Sequence, residues 1–213
     1  MRVQAWLAVT AAFAALNFYA ASQPSEREGD VVYTYDVLAS ALVVYGLLFV
    51  IVFALTAELP RRELLALRAP RSWGPALGLA LGSLVTIFAG AAFLLWLSQA
   101  GDEQNLTPEA WDSSRAGAYA ASFVAIVLIG PVVEELLYRG AGVGLLQHHG
   151  RLAAIGGTAL MFGLGHGLLL SLGAFVWFGV VTAWLRLHTD SLYPSLIVHV
   201  AFNAFGMTVP LFV

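Results

Sequence analysis

Long apolar runs separated by short polar stretches dominate the chain. They fall near residues 3–21, 35–57, 75–98, 116–137, 152–170, 173–187 and 194–213. Each approaches the roughly 20 residues that cross ~30 Å of hydrocarbon at ~1.5 Å per residue. The sixth run is short, and the hinge at residues 168–173 is expected to sit below the lipid surface. The runs are continuous rather than alternating, which predicts helices rather than a barrel. The expected fold is all-α, a polytopic transmembrane helical bundle of about seven spans (seven or eight helices), with residues 1–213 as a single integral membrane domain.

Composition supports that reading. Of 213 residues, 60% are hydrophobic and 11% charged, against roughly 25% charged in soluble domains, and the mean hydropathy is +0.81. A soluble fold of this size cannot hide so much apolar surface, so the lipid bilayer is the expected partner. The net charge of -3 offers no basic patch, which excludes nucleic-acid binding. The absence of cysteine excludes disulfides, thiolate zinc sites and a cysteine nucleophile. All 10 basic residues are arginine, the imprint of a GC-rich, bacterial type of genome.

Arginine placement orients the spans. With the N-terminus in the cytoplasm, Arg2, Arg61, Arg62, Arg68, Arg71, Arg139, Arg151 and Arg186 fall inside, and only Arg27 and Arg115 outside. Glu26, Glu28, Asp30, Asp102, Glu103, Glu109 and Asp112 fall outside with the C-terminus. This is the expected topology of a multi-pass protein of the bacterial inner membrane. Residues 1–22 share the layout of a signal peptide but form a long run for one. Residues 60–73 mix arginines with Leu64, Leu65, Leu67 and Trp73, which predicts a short amphipathic helix along the interface. Asn105-Leu106-Thr107 fits a glycosylation sequon and is uninformative in a bacterial chain.

An ionisable group at mid-bilayer costs roughly 2.5–3.5 kcal/mol, so polar residues inside apolar runs call for a reason. Three clusters stand out. In Glu134-Glu135-Leu136-Leu137-Tyr138-Arg139, adjacent helix positions lie ~100° apart, so the two carboxylates are expected to face different points. Glu135 and Arg139 can pair along one face, while Glu134 shares its face with Tyr138. The second cluster is Phe162-Gly163-Leu164-Gly165-His166, deep in the fifth run, where glycines allow close helix approach. The third is His199 and Asn203, four apart on one helical face. Each also has a structural reading, as a positive-inside arginine, an interhelical histidine and a helix-packing pair.

A carboxylate, two imidazoles and a carboxamide on three helices suggest hydrolysis, with water activated by a general base and an oxyanion stabilised by donors. No Gly-x-Ser-x-Gly elbow or His-Glu-x-x-His zincin signature is present. Glu134, His166 and His199 can supply N/O ligands to zinc, so direct and metal-assisted mechanisms both stay open, with no cofactor required by the sequence.

The motifs Glu134-Glu135-x-x-x-Arg139, Phe162-x-x-x-His166 and His199-x-x-x-Asn203 together resemble the CPBP family, the CAAX prenyl protease and bacteriocin-processing (Abi) intramembrane proteases. The resemblance covers residues 116–205, a family-like catalytic core; the first three spans share only hydrophobicity. It implies that Glu134 activates water, His166 positions it, and His199 with Asn203 forms the oxyanion hole. Glu135, Arg139, Tyr138 and Phe162 support the site. The implied activity is that of an intramembrane endopeptidase, a protease of the kind often labelled metalloprotease. It would cut a protein or peptide substrate that is membrane-associated, lipidated or C-terminally anchored. A proton-coupled transporter using Glu134 and His166 as a relay, and a non-catalytic immunity or scaffold protein, are the alternatives. Convergence of His166 with His199 requires the Glu134 helix to continue past Arg139 to about Leu146, with residues 140–144 still inside the membrane and the turn at 190–194 recessed.

Overall fold

The computed structural model describes residues 1–23, 31–100, 103 and 110–212. Arg27, Glu26, Glu28, Asp30, Asp102, Glu109 and the sequon at Asn105 lie outside the described residues. The described residues form eight helices and no strand, as the continuous apolar runs predict. They are α1 (Arg2–Ser22), α2 (Asp36–Leu55), α3 (Arg61–Leu64), α4 (Trp73–Ser98), α5 (Ser113–His149), α6 (Arg151–Leu164), α7 (Leu172–Thr189) and α8 (Tyr193–Thr208). Among them α1, α2, α4, α5 and α8 with its short extension to Phe212 are long and apolar enough to cross a membrane. The chain is an integral membrane protein.

Helix α5 organises the bundle. The Asp112 side chain caps its start by accepting from the Ser114 amide and hydroxyl, at 2.9 and 2.6 Å. Those bonds, the Ser114 hydroxyl first and Arg115 next, hold the Asp112 carboxyl down at about 2. From there α5 runs 37 residues, about 55 Å at ~1.5 Å per residue. The expected continuation past Arg139 is present, and residues 140–144 are buried inside the bundle. Two stretches, Val124–Ile129 and Glu135–Gly142, take the wider π-helical winding. Such winding leaves carbonyls without their usual partners, and in lipid these must be satisfied within the protein. The Trp6 indole of α1 donates to the Leu137 carbonyl at 2.9 Å. Arg186 Nε of α7 donates to the Arg139 carbonyl at 3.2 Å.

The fifth run breaks earlier than its apolarity suggests. Helix α6 ends at Leu164 after 14 residues, about 21 Å, too short to span. His166 therefore lies in the turn beyond α6 rather than deep within a helix. Gly167 makes the turn possible. Its φ is +71°, and an added Cβ would meet the Asn17 backbone at 2.5 Å. Asn17 Nδ2 of α1 donates to the Gly165 carbonyl at 2.6 Å, and Glu103 accepts from the Ser171 amide at 2.7 Å at the start of α7.

Residues 60–73 also depart from expectation. Before α4 begins at Trp73 only Arg61–Leu64 is helical, and Leu65 and Ala66 are fully buried instead of lying along an interface. Two glycines of α5 create the room. A Cβ on Gly144 would stand 2.5 Å from the Leu64 carbonyl, and one on Gly140 would stand 2.9 Å from the Leu65 side chain. The tucked carbonyls are claimed by Arg186 Nη2 (to Leu64, 3.1 Å), the Leu192 amide (to Ala66, 3.0 Å) and the Ser191 hydroxyl (to Arg68, 2.6 Å). The segment thus closes one end of the bundle, with Ser191 and Leu192 buried against it while the Asp190 side chain of the same turn stays exposed. Arg139 and Arg186, counted from the sequence among interface arginines, are buried structural groups.

Candidate active site

The site forms where α5, α2, α8 and the turn after α6 meet. Glu135 and Arg139 are both fully buried and pair at 3.3 Å (Oε1 to Nη1), as their spacing predicts. Arg139 Nε also donates to the Thr182 hydroxyl of α7 at 2.9 Å, and the guanidinium lies 4.1 Å over the Phe162 ring. A buried ion pair needs such extra partners to offset its desolvation.

The pair anchors His199. Its Nδ1 lies 3.1 Å from Glu135 Oε1, so the hydrogen-bond network assigns the proton to Nδ1, donated to the carboxylate. The other ring nitrogen, Nε2, then faces Glu134 Oε2 at 3.6 Å. Glu134 and Glu135 thus face different points, as expected: Glu135 turns to Arg139 and Glu134 to Tyr45, and the His199 ring lies between them with one nitrogen towards each. The 3.6 Å gap exceeds a hydrogen bond.

Glu134 has a second neighbour. Tyr45 of α2 donates its hydroxyl to Glu134 Oε1 at 2.6 Å. Sequence reasoning missed Tyr45, which sits in an apolar run as an unremarked aromatic; its phenol in hydrocarbon was the available signal. Thr182, Trp6, Asn17 and the structural use of Arg186 were missed too.

His166 Nδ1 donates to the Phe162 carbonyl at 2.9 Å. A carbonyl can only accept, so Nδ1 carries the proton and Nε2 is left with its lone pair. The ring stacks on Phe175 at 3.8 Å between centroids. Phe162 packs edge-on to Tyr138, His166 and His199, at 5.4, 4.7 and 5.8 Å, and so spaces the three groups around one centre. Asn203 Nδ2 donates to the Ile126 carbonyl at 2.8 Å, inside the first π-helical stretch of α5.

Glu134, Tyr138, His166, His199 and Asn203 line one cavity of about 640 Å³ with Tyr45. The three sequence clusters therefore converge on shared space. Within the described residues neither His166 nor Asn203 hydrogen-bonds directly to Glu134 or His199. Among the described residues no group of three or more His, Asp or Glu side chains is disposed to hold a metal ion, so the zinc set of Glu134, His166 and His199 that the sequence leaves open is not assembled here. The arrangement can instead polarise a water with one carboxylate and two imidazole lone pairs, in a largely aromatic enclosure.

Residues 116–205 match the family described as Rce1-like, type II CAAX prenyl endopeptidase Rce1-like. No curated protein and no solved structure matches the chain.

Proposed function

Taking residues 116–205 as the Rce1-like core of a CAAX-type membrane protease, we propose that the protein is an intramembrane endopeptidase driven by a Glu134-activated water. Its substrates are membrane-associated, lipidated or C-terminally anchored proteins or peptides. The observation that carries this reading is the gathering of Glu134, His166 and His199 around one cavity among membrane-spanning helices.

The chemistry follows from the hydrogen bonds. A water held between Glu134 and the His166 Nε2 lone pair gives its proton to Glu134 as its oxygen bonds the scissile carbonyl carbon. The new carboxylic acid then faces an acceptor, His199 Nε2, across the 3.6 Å gap, which closes to a hydrogen bond. Glu135 keeps His199 in that orientation through Nδ1. Collapse of the tetrahedral intermediate breaks the carbon–nitrogen bond. Glu134 returns its proton to the leaving nitrogen, which yields a carboxylic acid and an amine. The arginines at the closed end (Arg61, Arg62, Arg68, Arg71, Arg151) favour placing that end and the N-terminus in the cytoplasm of a bacterial inner membrane, with the C-terminus outside.

The test is reconstitution of the full chain in lipid vesicles with a fluorogenic farnesylated CAAX peptide, comparing wild type with Glu134→Gln. Cleavage by the wild type and a loss of at least about a thousandfold in the variant are expected. Equal cleavage by both would remove Glu134 from the mechanism.

A further inference from the structure

The cavity reaches only one end of the bundle. Its walls come from residues 13–17 of α1, 36–45 of α2, 87–95 of α4, 174–178 of α7 and 199–207 of α8. Those are the later parts of α1, α4 and α8 and the first parts of α2 and α7. Neighbouring spans run in opposite directions, so all five parts lie towards the same end, the one at which α5 starts. Among the described residues none from 46–86, 139–161 or 179–198 lines the cavity.

The two ends of the bundle differ in polarity. Asp36, Ser40, Glu103 and Ser171 stand at the rim of the cavity, and Asp36 and Ser40 are exposed. Glu103 accepts from the Ser171 hydroxyl as well as from its amide, at 2.5 and 2.7 Å, which ties the rim to the start of α7. Carboxylates are costly inside hydrocarbon, so this rim belongs at the aqueous boundary. At the inner end Glu134, Tyr138, Phe162, Phe178 and His199 complete the wall. Beneath them Glu135, Leu137 and Arg139 are fully buried, and fully buried Leu65 and Ala66 close the far end. That far end carries Arg61, Arg62, Arg68, Arg71 and Arg151, whereas the rim end of α5 carries Arg115 paired with Asp112. The charge bias that keeps arginine in the cytoplasm therefore turns the rim away from it.

We propose that the site opens on the extracytoplasmic face of the membrane and takes its substrates there. They are exported proteins, and the segment that enters is the one bordering a membrane anchor on its outer side. The depth sets how much chain must enter. From Asp36 to Tyr45 helix α2 descends about 13 Å, and from Met207 to His199 helix α8 descends about 12 Å, at ~1.5 Å per residue. An extended peptide covers that depth with about four residues at ~3.3–3.6 Å each. The scissile bond thus meets Glu134 below the rim while the folded part of the substrate stays outside. This inference rests on the endopeptidase reading above and adds the side of the membrane from which the bond is presented.

The chain contains no cysteine, so an engineered thiol is the sole one present. The test uses the full chain with Ser40→Cys at the rim and Arg62→Cys at the far end. In intact spheroplasts a charged, membrane-impermeant maleimide should label Ser40→Cys, and should label Arg62→Cys only after the membrane is opened. The reverse pattern overturns the outward-facing site. In a second arm each variant is labelled in detergent with a polyethylene glycol maleimide, reconstituted in vesicles and given the farnesylated CAAX peptide. Labelling should lower cleavage by Ser40→Cys about tenfold or more, as expected for a blocked cleft, and should leave Arg62→Cys within about twofold of its unlabelled rate. Loss of cleavage on labelling Arg62→Cys alone overturns the rim as the way in and leaves the endopeptidase reading in place. Wild type that cleaves no peptide overturns the endopeptidase reading and the exported substrates with it, and the spheroplast labelling then decides the facing of the cavity by itself.

Discussion

Helix α5 and the helices of the first hundred residues are all apolar, yet they bury different things. In α5, 44% of the most apolar window is buried, against 17% in α1 and in α2. Among the described residues the buried carboxylate, guanidinium and imidazole groups (Glu134, Glu135, Arg139, Arg186 and His199) all come from residues 116–205, whereas the buried serines and threonines of the first hundred are Thr10, Thr56 and Ser83. The C-terminal half therefore carries the chemistry and its electrostatic cost. The N-terminal half gives mainly lipid-facing surface. Its polar contacts nearest the site are Tyr45 on Glu134, Trp6 on the Leu137 carbonyl and Asn17 on the Gly165 carbonyl, with the segment around Leu65 closing the bundle's end. Each reaches a point where the C-terminal half departs from regular helix or exposes a reactive group. An apolar helix can thus be indispensable to a membrane site through one polar atom.

The comparison breaks most sharply inside the C-terminal half. Arg139→Met removes the guanidinium partner of fully buried Glu135 and leaves its carboxylate without a countercharge that is always present. Removing one member of a buried pair costs roughly 3–5 kcal/mol, read as loss of stability in denaturant titration of the purified protein. The double variant Glu135→Leu with Arg139→Met should recover most of that stability, because an apolar pair of similar volume avoids the buried charge. It should remain inactive, because His199 has lost the group that orients it. Recovery of activity along with stability would mean that the pair only holds the fold.

A smaller effect crosses between the halves. Tyr45→Phe deletes the donor to Glu134 Oε1 without altering ring packing. A hydrogen bond to a charged group is worth about 1.5–3 kcal/mol, so cleavage of the farnesylated peptide should fall roughly ten- to a hundredfold, with little change in unfolding midpoint. Unchanged turnover would confine the catalytic machinery to residues 116–205.

The sequence made some of this legible for definite reasons. Ionisable residues in apolar runs are costly, so Glu134, Glu135, Arg139, His166 and His199 announced themselves, and the spacing of four between Glu135 and Arg139 survives into a 3.3 Å contact. The continuation of α5 was legible because the motifs could not otherwise meet. Tyr45 was not, since a tyrosine in an apolar run looks like packing until its hydroxyl finds a partner. The imidazole between Glu134 and Glu135 was hidden because it depends on how α8 packs on α5, a tertiary contact that spacing within either helix does not encode. The break after Leu164 was hidden because residues 165–171 are as apolar as a helix. What ends α6 there is the close approach of Gly167 to Asn17, a tertiary contact. The inward tuck of Leu65 and Ala66 likewise depends on Gly140 and Gly144, some 75 residues later in the sequence.

The smallest expected effect sharpens the role of α1. Trp6 is fully buried, and its indole donates to Leu137 within the second π-helical stretch, two residues before Arg139. Trp6→Phe keeps an aromatic ring in the place that packs on Tyr138 but removes the donor. Interhelical hydrogen bonds in membrane proteins contribute about 0.6 kcal/mol on average, so the unfolding midpoint should move only slightly. If the indole is what holds the winding at Leu137, hydrogen exchange of the α5 amides around Tyr138 should quicken locally while other helices keep their protection. Turnover should fall less than for Tyr45→Phe, because Trp6 acts on the backbone beneath the site and touches neither Glu134 nor the cavity. Uniformly faster exchange across the bundle would instead make Trp6 a general packing residue of the first helix, and the polar contribution of the N-terminal half would narrow to Tyr45 and Asn17.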